Sequence, residues 1–138
     1  MSLNLPSLDQ INNFNRGTLI EFLDIKITAI TEDSIEGSLP FSQKLTQPMG
    51  LVHGGVYCVV SESLASIGSN IITPDSEVAL GQTITSYHLK PIKMGMITAK
   101  AKLEFKGRSS HLWNIEIFDE ENNLVHVSKM QVAIREKR

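Results

Sequence analysis

A single cysteine, Cys58, stands in the 138 residues, so no intrachain disulfide can form. Its apolar surroundings suit a small packed hydrophobe, and a disulfide-free chain suits a reducing compartment. A basic excess is also missing. Thirteen Lys and Arg face 15 Asp and Glu, for a net charge of −2, which argues against non-specific binding to nucleic acid. The four histidines, His53, His88, His111 and His126, are scattered without metal-ligand spacing or partner cysteines, so no metal is expected. The opening MSLNLPSLDQINN has neither a basic n-region nor a continuous apolar h-region, which argues against a signal peptide. No stretch is read as approaching the ~20 apolar residues of a membrane span. Linkers, repeats and low-complexity tracts are likewise lacking. The expectation is one domain over residues 1–138, cytoplasmic, without nucleic-acid or membrane partners and without a cofactor.

What is present is a regular alternation of apolar and polar residues. Ser7, after Pro6, is placed to cap a short helix that Gly17 interrupts before Phe22. Ile25, Ile27 and Ala29, then Ile35, Gly37, Leu39 and Phe41, form two alternating runs joined at Glu32-Asp33, a hairpin pattern. A polar loop, residues 42–53, leads into GGVYCVVSESLASIGSNII. Its length from Gly54 to Ile72 favours a helix, ended by Asn70 and Thr73-Pro74-Asp75, and apolar residues around most of its circumference imply burial on several sides. The rest reads as strands: Val78 to Leu89; Ile97, Ala99, Ala101, Leu103 and Phe105 with a wet opposite face; Trp113, Ile115 and Ile117; a turn at 119–123; and Leu124 to Ile134. Neighbouring strands without intervening helices imply an antiparallel sheet. The class is α+β, a long central helix wrapped by a curved sheet.

Glu62 is the anomaly of the long helix. A carboxylate in a buried apolar helix is costly unless it is paired, and no Lys or Arg lies one turn away. Ser66, at i+4, can sit beside it or hold a water. Glu62 is either an active-site acid or a side chain emerging at a surface or subunit boundary. His53-Gly54-Gly55 opens the same helix. Its first N–H groups lack internal partners and can polarise a carbonyl, or the turn serves only as a cap. Gly54 and Glu62 are eight residues apart, about 12 Å at ~1.5 Å per residue. That is too far for both to reach one reacting atom, so a shared site requires two copies of the chain.

The stretch Gln47-Pro-Met-Gly-Leu-Val-His53-Gly54-Gly55, followed by Glu62 and Ser66, resembles the signature of hotdog-fold thioesterases of the PaaI-like and hydroxybenzoyl-CoA thioesterase group. The likeness is greatest to 1,4-dihydroxy-2-naphthoyl-CoA hydrolases and enterobactin proofreading thioesterases. It extends through SYHLKPIK, Gly107 and the segment beginning at Trp113. The resemblance implies hydrolysis of an acyl-CoA, an aromatic one by preference, with Glu62 as nucleophile or general base and the Gly54 N–H on the thioester carbonyl. It further implies that Gln47 and His53 orient the thioester and that Ser66 positions water. Glu62 and the HGG turn would come from different subunits of a homodimer, with pairs of dimers forming a homotetramer. Gly55, His88, Lys90, Arg108, Ser109 and Ser110 are the candidates for substrate and coenzyme A contacts, though Lys90 and Arg108 also read as ordinary solvated charges.

Three other functions fit parts of this pattern. A thioesterase acting on carrier-protein-bound acyl groups would use the same residues. A hydratase on enoyl thioesters would need an Asp/His pair that the helix does not offer. A non-catalytic acyl-thioester binder would have no use for the set Gln47, His53, Gly54, Glu62 and Ser66. Nothing in the chain resembles a nucleophile elbow around Ser61 or Ser63.

Overall fold

The computed structural model describes residues 4–138. Residues 1–3, the start of the stretch read as lacking a leader's features, lie outside the described residues. The chain opens with two short helices, α1 (Leu8–Phe14) and α2 (Leu19–Phe22). Ser7 caps α1 as its position predicts: its hydroxyl accepts from the Gln10 N–H, and the Gln10 side chain accepts from the Ser7 N–H in return. Gly17, at φ +76°, makes the break, a left-handed turn that glycine enters without steric penalty. Asn12 then ties α1 to the first strand. Its amide donates to Ile27 O at 3.0 Å and accepts from Ile27 N–H at 2.9 Å, which satisfies backbone groups of an edge strand.

Six strands follow: β1 (Lys26–Ile30), β2 (Ser34–Pro40), β3 (Glu77–His88), β4 (Met96–Lys106), β5 (Ser110–Phe118) and β6 (Leu124–Glu136), with α3 (Gly54–Ile72) between β2 and β3. They form one sheet in the order β1-β2-β4-β5-β6-β3, antiparallel at every pairing. The α3 crossover carries the chain past the whole sheet, so β2 and β3, neighbours in sequence among the strands, lie far apart in it. One face of the sheet is lined by Ile27, Ile35, Leu39, Ile97, Ala99, Ala101, Trp113, Ile115 and Ile117, all buried. They form a single core with Val60, Leu64 and Ala65 of α3. The alternation in β4 holds as far as Ala101. A bulge between Leu103 and Phe105 then breaks the register, and Phe105, expected on the buried face, is 58% exposed. A bulge rotates the following side chains out of the pleat.

Close approach of α3 to the sheet needs small residues. A Cβ on Gly68 would lie 2.7 Å from Trp113 Cη2, and one on Gly37 would lie 3.3 Å from Leu64 Cδ1. Trp113 is anchored by a buried chain of hydrogen bonds. Its indole N–H donates to Ser69 Oγ at 2.8 Å, and the Ser69 hydroxyl lies 2.8 Å from His111 Nδ1. The indole can only donate, so Ser69 Oγ accepts from it and links Trp113 to His111 inside the core.

Two expectations about α3 need correcting. Its buried residues are Tyr57, Val60, Ser61, Leu64, Ala65, Gly68, Ser69 and Ile72, a single stripe at helical spacing, and Glu62 is exposed on the other side. The sheet covers one face of the helix only; the apolar residues opposite, such as Val59, Ile67 and Ile71, are half-buried. Within one protomer, therefore, Glu62 is not a buried carboxylate. The second correction concerns membranes. At 19 residues α3 has the length and apolarity of a membrane span, although no stretch of the sequence was expected to approach one. Its buried stripe is occupied by the sheet, and its other side carries Glu62 and Asn70, as expected of a core helix.

Candidate active site

The loop before α3 is folded around Gln47. The Gln47 side-chain carbonyl accepts from Met49 N–H at 2.5 Å and Leu51 N–H at 3.5 Å, while its backbone N–H donates to Leu51 O at 2.8 Å. Two N–H donors identify that atom as the oxygen, since an –NH2 could not accept them. The amide nitrogen has no partner among the described residues and is free to donate. Gly50, at φ +83°, closes this turn.

His53 is the N-cap of α3. Its Nδ1 accepts from Gly55 N–H at 2.8 Å, so in the neutral ring the proton sits on Nε2. The Val56 N–H donates to His53 O. That leaves the Gly54 N–H, at the positive end of a 19-residue helix, with no acceptor among the described residues. Gly54 also packs against His88: a Cβ there would lie 2.6 Å from His88 Nε2. Gln47, Gly54, Tyr57, His88 and Lys90 together line a cleft of about 270 Å³. The tertiary fold thus brings four of the predicted site residues to one place.

Glu62 lies two turns along α3 and lines neither this cleft nor the larger one beyond it. Its carboxylate sits over β3 at Gly81, where a Cβ would be 3.0 Å from Glu62 Oε1 and 2.5 Å from Met130 Cε. The β3 register shifts between Gly81 and Thr83, so the strand bulges beside the carboxylate. Ser66, one turn further, lines a cleft of about 860 Å³ with Ile11, Phe14, Ile67, Ile71 and Leu80 among its walls. Asn70 closes the next turn. Its amide donates to Ala79 O at 3.0 Å and accepts from Ala79 N–H at 2.9 Å, pinning the helix to the open edge of β3.

The candidate coenzyme contacts are divided. His88 and Lys90 lie at one end of the sheet. Arg108, Ser109 and Ser110 lie at the β4–β5 turn, with Ser109 O accepting from Ile134 N–H and Arg135 Nη1. Ser110 pairs across with Ala133, itself opposite Leu80, whereas His88 pairs with His126, itself opposite Ile117. Seven residues of β5 separate these rows, about 23 Å, so one protomer cannot bring both groups to the same phosphate.

Two residues near the cleft were not singled out as site residues from the sequence. His126, on β6, is fully buried, and its Nδ1 lies 3.0 Å from His88 Nδ1. Tyr57 packs on both imidazoles, with ring centroids 5.8 and 5.2 Å away. Burial pushes the Tyr57 hydroxyl up to about 12, the charge of Asp119 adding to it. Burial likewise pushes the His126 imidazole down to about 4, with His88 contributing. A histidine interrupting the apolar positions of β6 was the available signal. Gly81 offered another, because a glycine inside a strand marks a bulge or a close approach.

A six-stranded antiparallel sheet with one long helix packed on its face is the architecture of the hotdog thioesterases. The family model of the thioesterase superfamily matches residues 49–126, and the chain belongs to that family. It is a thioesterase. It is 31% identical to the 1,4-dihydroxy-2-naphthoyl-CoA hydrolase of Escherichia coli, over 93% of this chain and 94% of the other. To the hydrolase of the same name from Listeria monocytogenes it is 36% identical, over 87% of this chain and 98% of the other. The crystal structure of a Haemophilus influenzae thioesterase superimposes with a TM-score of 0.93 at 30% identity, covering 98% of this chain and 94% of that one.

Proposed function

We propose that the chain is an acyl-CoA thioesterase in which Glu62 acts as nucleophile or general base and the Gly54 N–H polarises the thioester carbonyl. The observation that carries this reading is the pairing, on one helix, of an unpartnered N-terminal amide with a solvent-facing carboxylate about 12 Å further on. An amide held at a helix N-terminus stabilises the oxyanion that forms as the carbonyl is attacked. Water adds its oxygen to the carbonyl carbon while Glu62 takes the proton; alternatively the carboxylate adds first and water opens the resulting anhydride. In both routes the C–S bond breaks, its electron pair leaves with sulfur, and the coenzyme thiolate takes up the proton. Gln47, through its free –NH2, and His53, through Nε2–H, orient the thioester, and Ser66 positions the water.

The separation of Gly54 from Glu62 requires two subunits. β3 supports such pairing: it is a 12-residue edge strand exposing Leu80 and Tyr87, with exposed Leu89 just beyond it, the kind of edge that another chain covers. A homodimer, or a tetramer of two dimers, would set Glu62 of one copy against the Gly54 turn of the other. It would also bring Gly55, His88 and Lys90 of one copy toward Arg108, Ser109 and Ser110 of its partner around the coenzyme. The two hydrolases named for a dihydroxynaphthoyl-CoA favour an aromatic acyl group, for which the cleft beside Ser66 has apolar walls. The unpaired Cys58 goes with a cytoplasmic location.

A colorimetric thiol-release assay over aromatic and aliphatic CoA esters, with carrier-protein esters beside them, tests the reading. Aromatic CoA esters should give the highest kcat/KM. Replacing Glu62 by Ala should lower kcat by about two to four orders of magnitude with the fold intact, and wild-type turnover in that variant would refute the role of the carboxylate.

A further inference from the structure

The thioesterase reading assigns no part to His126, yet its ring is fully buried directly behind a histidine that faces the cleft. His88 Nδ1 and His126 Nδ1 are 3.0 Å apart, so one of the two nitrogens must donate and the other accept. Which one donates is decided by the far side of each ring. His126 Nε2 is buried and has no hydrogen-bond partner among the described residues. A buried N–H without an acceptor is rarer in folded proteins than an under-used acceptor, so the His126 proton belongs on Nδ1, where it has one. Burial holds the ring neutral, down to about 4, which leaves one proton to place. His88 Nδ1 is then the acceptor, and the proton of a neutral His88 is on Nε2. That nitrogen is the atom packed against Gly54, where a Cβ would approach it to 2.6 Å.

We propose that His126 is a positioning residue that locks His88 in the Nε2–H tautomer, so that His88 presents a second N–H donor beside the Gly54 amide to the thioester carbonyl oxygen. Tyr57 completes the arrangement. Its ring packs on both imidazoles and holds their planes 30° apart at a centroid distance of 5.0 Å, while its buried hydroxyl stays protonated. The other charged groups near the cluster are Lys90 and Asp119, which act on one another; Asp119 also acts on Tyr57. The proposal rests on the thioesterase reading for the identity of the carbonyl, but the tautomer itself does not depend on it.

Two measurements test it. Long-range ¹H–¹⁵N NMR of the full-length wild-type protein at pH 7.5, with the signals assigned through H88Q and H126N, reads which ring nitrogen of His88 carries the proton. Nε2–H is expected, and Nδ1–H overturns the proposal whatever the activity. Kinetics with benzoyl-CoA form the second arm. H126L, which removes the donor, should lower kcat about tenfold with KM within twofold of wild type. H126N, whose side-chain –NH2 stands where Nδ1–H stood, should recover most of that loss. In an H88Q background, where the amide donates regardless of its neighbour, adding H126L should cost less than a further twofold. An H126L variant with wild-type kcat, or an undiminished tenfold loss in the H88Q background, would show that His126 does not act through His88. Should H126L fail to fold, the wild-type tautomer still decides. Absence of hydrolysis of every CoA ester would sink the thioesterase reading and leave the tautomer result standing.

Discussion

Glu62 of α3 reaches across to Gly81 of β3, and its carboxylate occupies the space that a side chain at that position would need: a Cβ on Gly81 would lie 3.0 Å from Glu62 Oε1. Gly81 to Ala should therefore displace the carboxylate, and with it the flexible end of Met130. The expected result is a fall in kcat of about tenfold, since small misplacements of a reacting group are costly. KM should change little, and stability should fall by less than about 1 kcal/mol because the atoms met, Met130 Cε and the Glu62 carboxylate, are the ends of flexible side chains that can shift. An unchanged kcat would mean that this close approach does not set the position of Glu62.

Gly68 presents the opposite case, a close contact with rigid surroundings. A Cβ there would meet Trp113 Cη2 at 2.7 Å and Cζ2 at 2.8 Å, and Trp113 is buried and hydrogen-bonded through its indole N–H. Gly68 to Ala should cost about 1–3 kcal/mol, the usual penalty for overpacking, measured by urea denaturation. Activity per folded molecule should be retained because the strain lies on the buried side of the helix.

Acid should destabilise the fold over a definite window. His126 is held down to about 4 and His111 is also lowered, by burial first in both cases. Near the ordinary histidine value of about 6.5 the unfolded chain begins to take up protons that the folded chain refuses. Stability should be flat above that pH and fall as the pH drops from about 6.5 toward 4. At about 1.4 kcal/mol per tenfold in proton affinity, His126 alone accounts for a loss on the order of 3 kcal/mol. Urea midpoints at pH 7.5, 5.5 and 4.5 check this. The H126N variant should show a shallower slope, and an identical slope in H126N would contradict the assignment.

A site shared between subunits has a signature in mixed oligomers. Glu62 to Ala and Gly54 to Pro should each abolish turnover alone. Proline is accepted at the first helical position and lacks the N–H, and His53, at ψ 134°, already has the extended backbone required before proline. The proline Cβ also pushes aside the His88 ring, which belongs to the same subunit's half of the site. Subunits of the two variants, unfolded and refolded together in equal amounts, should regain about one quarter of wild-type activity. Half of the dimers would be mixed, and a two-fold interface gives each of those one intact site. No recovery, in a mixture shown by mass spectrometry to contain mixed dimers, would place both groups in a single subunit.

Much of this architecture was legible in the residues. The bounds of α3 follow from the Gly54-Gly55 pair and the Thr73-Pro74 stop, and the strands from period-two alternation, because both signals are local. Glu62 could be picked out because it is chemically out of place in an apolar helix, Gly54 because it opens that helix and Ser66 because it lies one turn from Glu62, whereas Gln47 was marked only by the family resemblance. The exposure of Glu62 could not be read in this way. Apolar residues such as Val59, Ile67 and Ile71 lie on the side of α3 that the sheet leaves uncovered, so composition alone suggested burial all round. Phe105 was misplaced for a similar reason: the bulge that turns it outward leaves no mark on the alternation.

The sequence by itself determined the elements, their order, and the chemical groups carried on α3 and the loop before it, since helix length, strand period and turn residues act over a few positions. Only the tertiary structure decided which groups meet. Pairing of β3 with β6 sets His88 against His126, 38 residues further along the chain. The same pairing turns His88 toward Gly54, leaves Gly81 open beneath Glu62, and separates His88 and Lys90 from the Arg108–Ser110 turn by the length of a strand. Strand pairing of this kind is governed by which faces can be buried together, a property of the assembled core that no single segment contains.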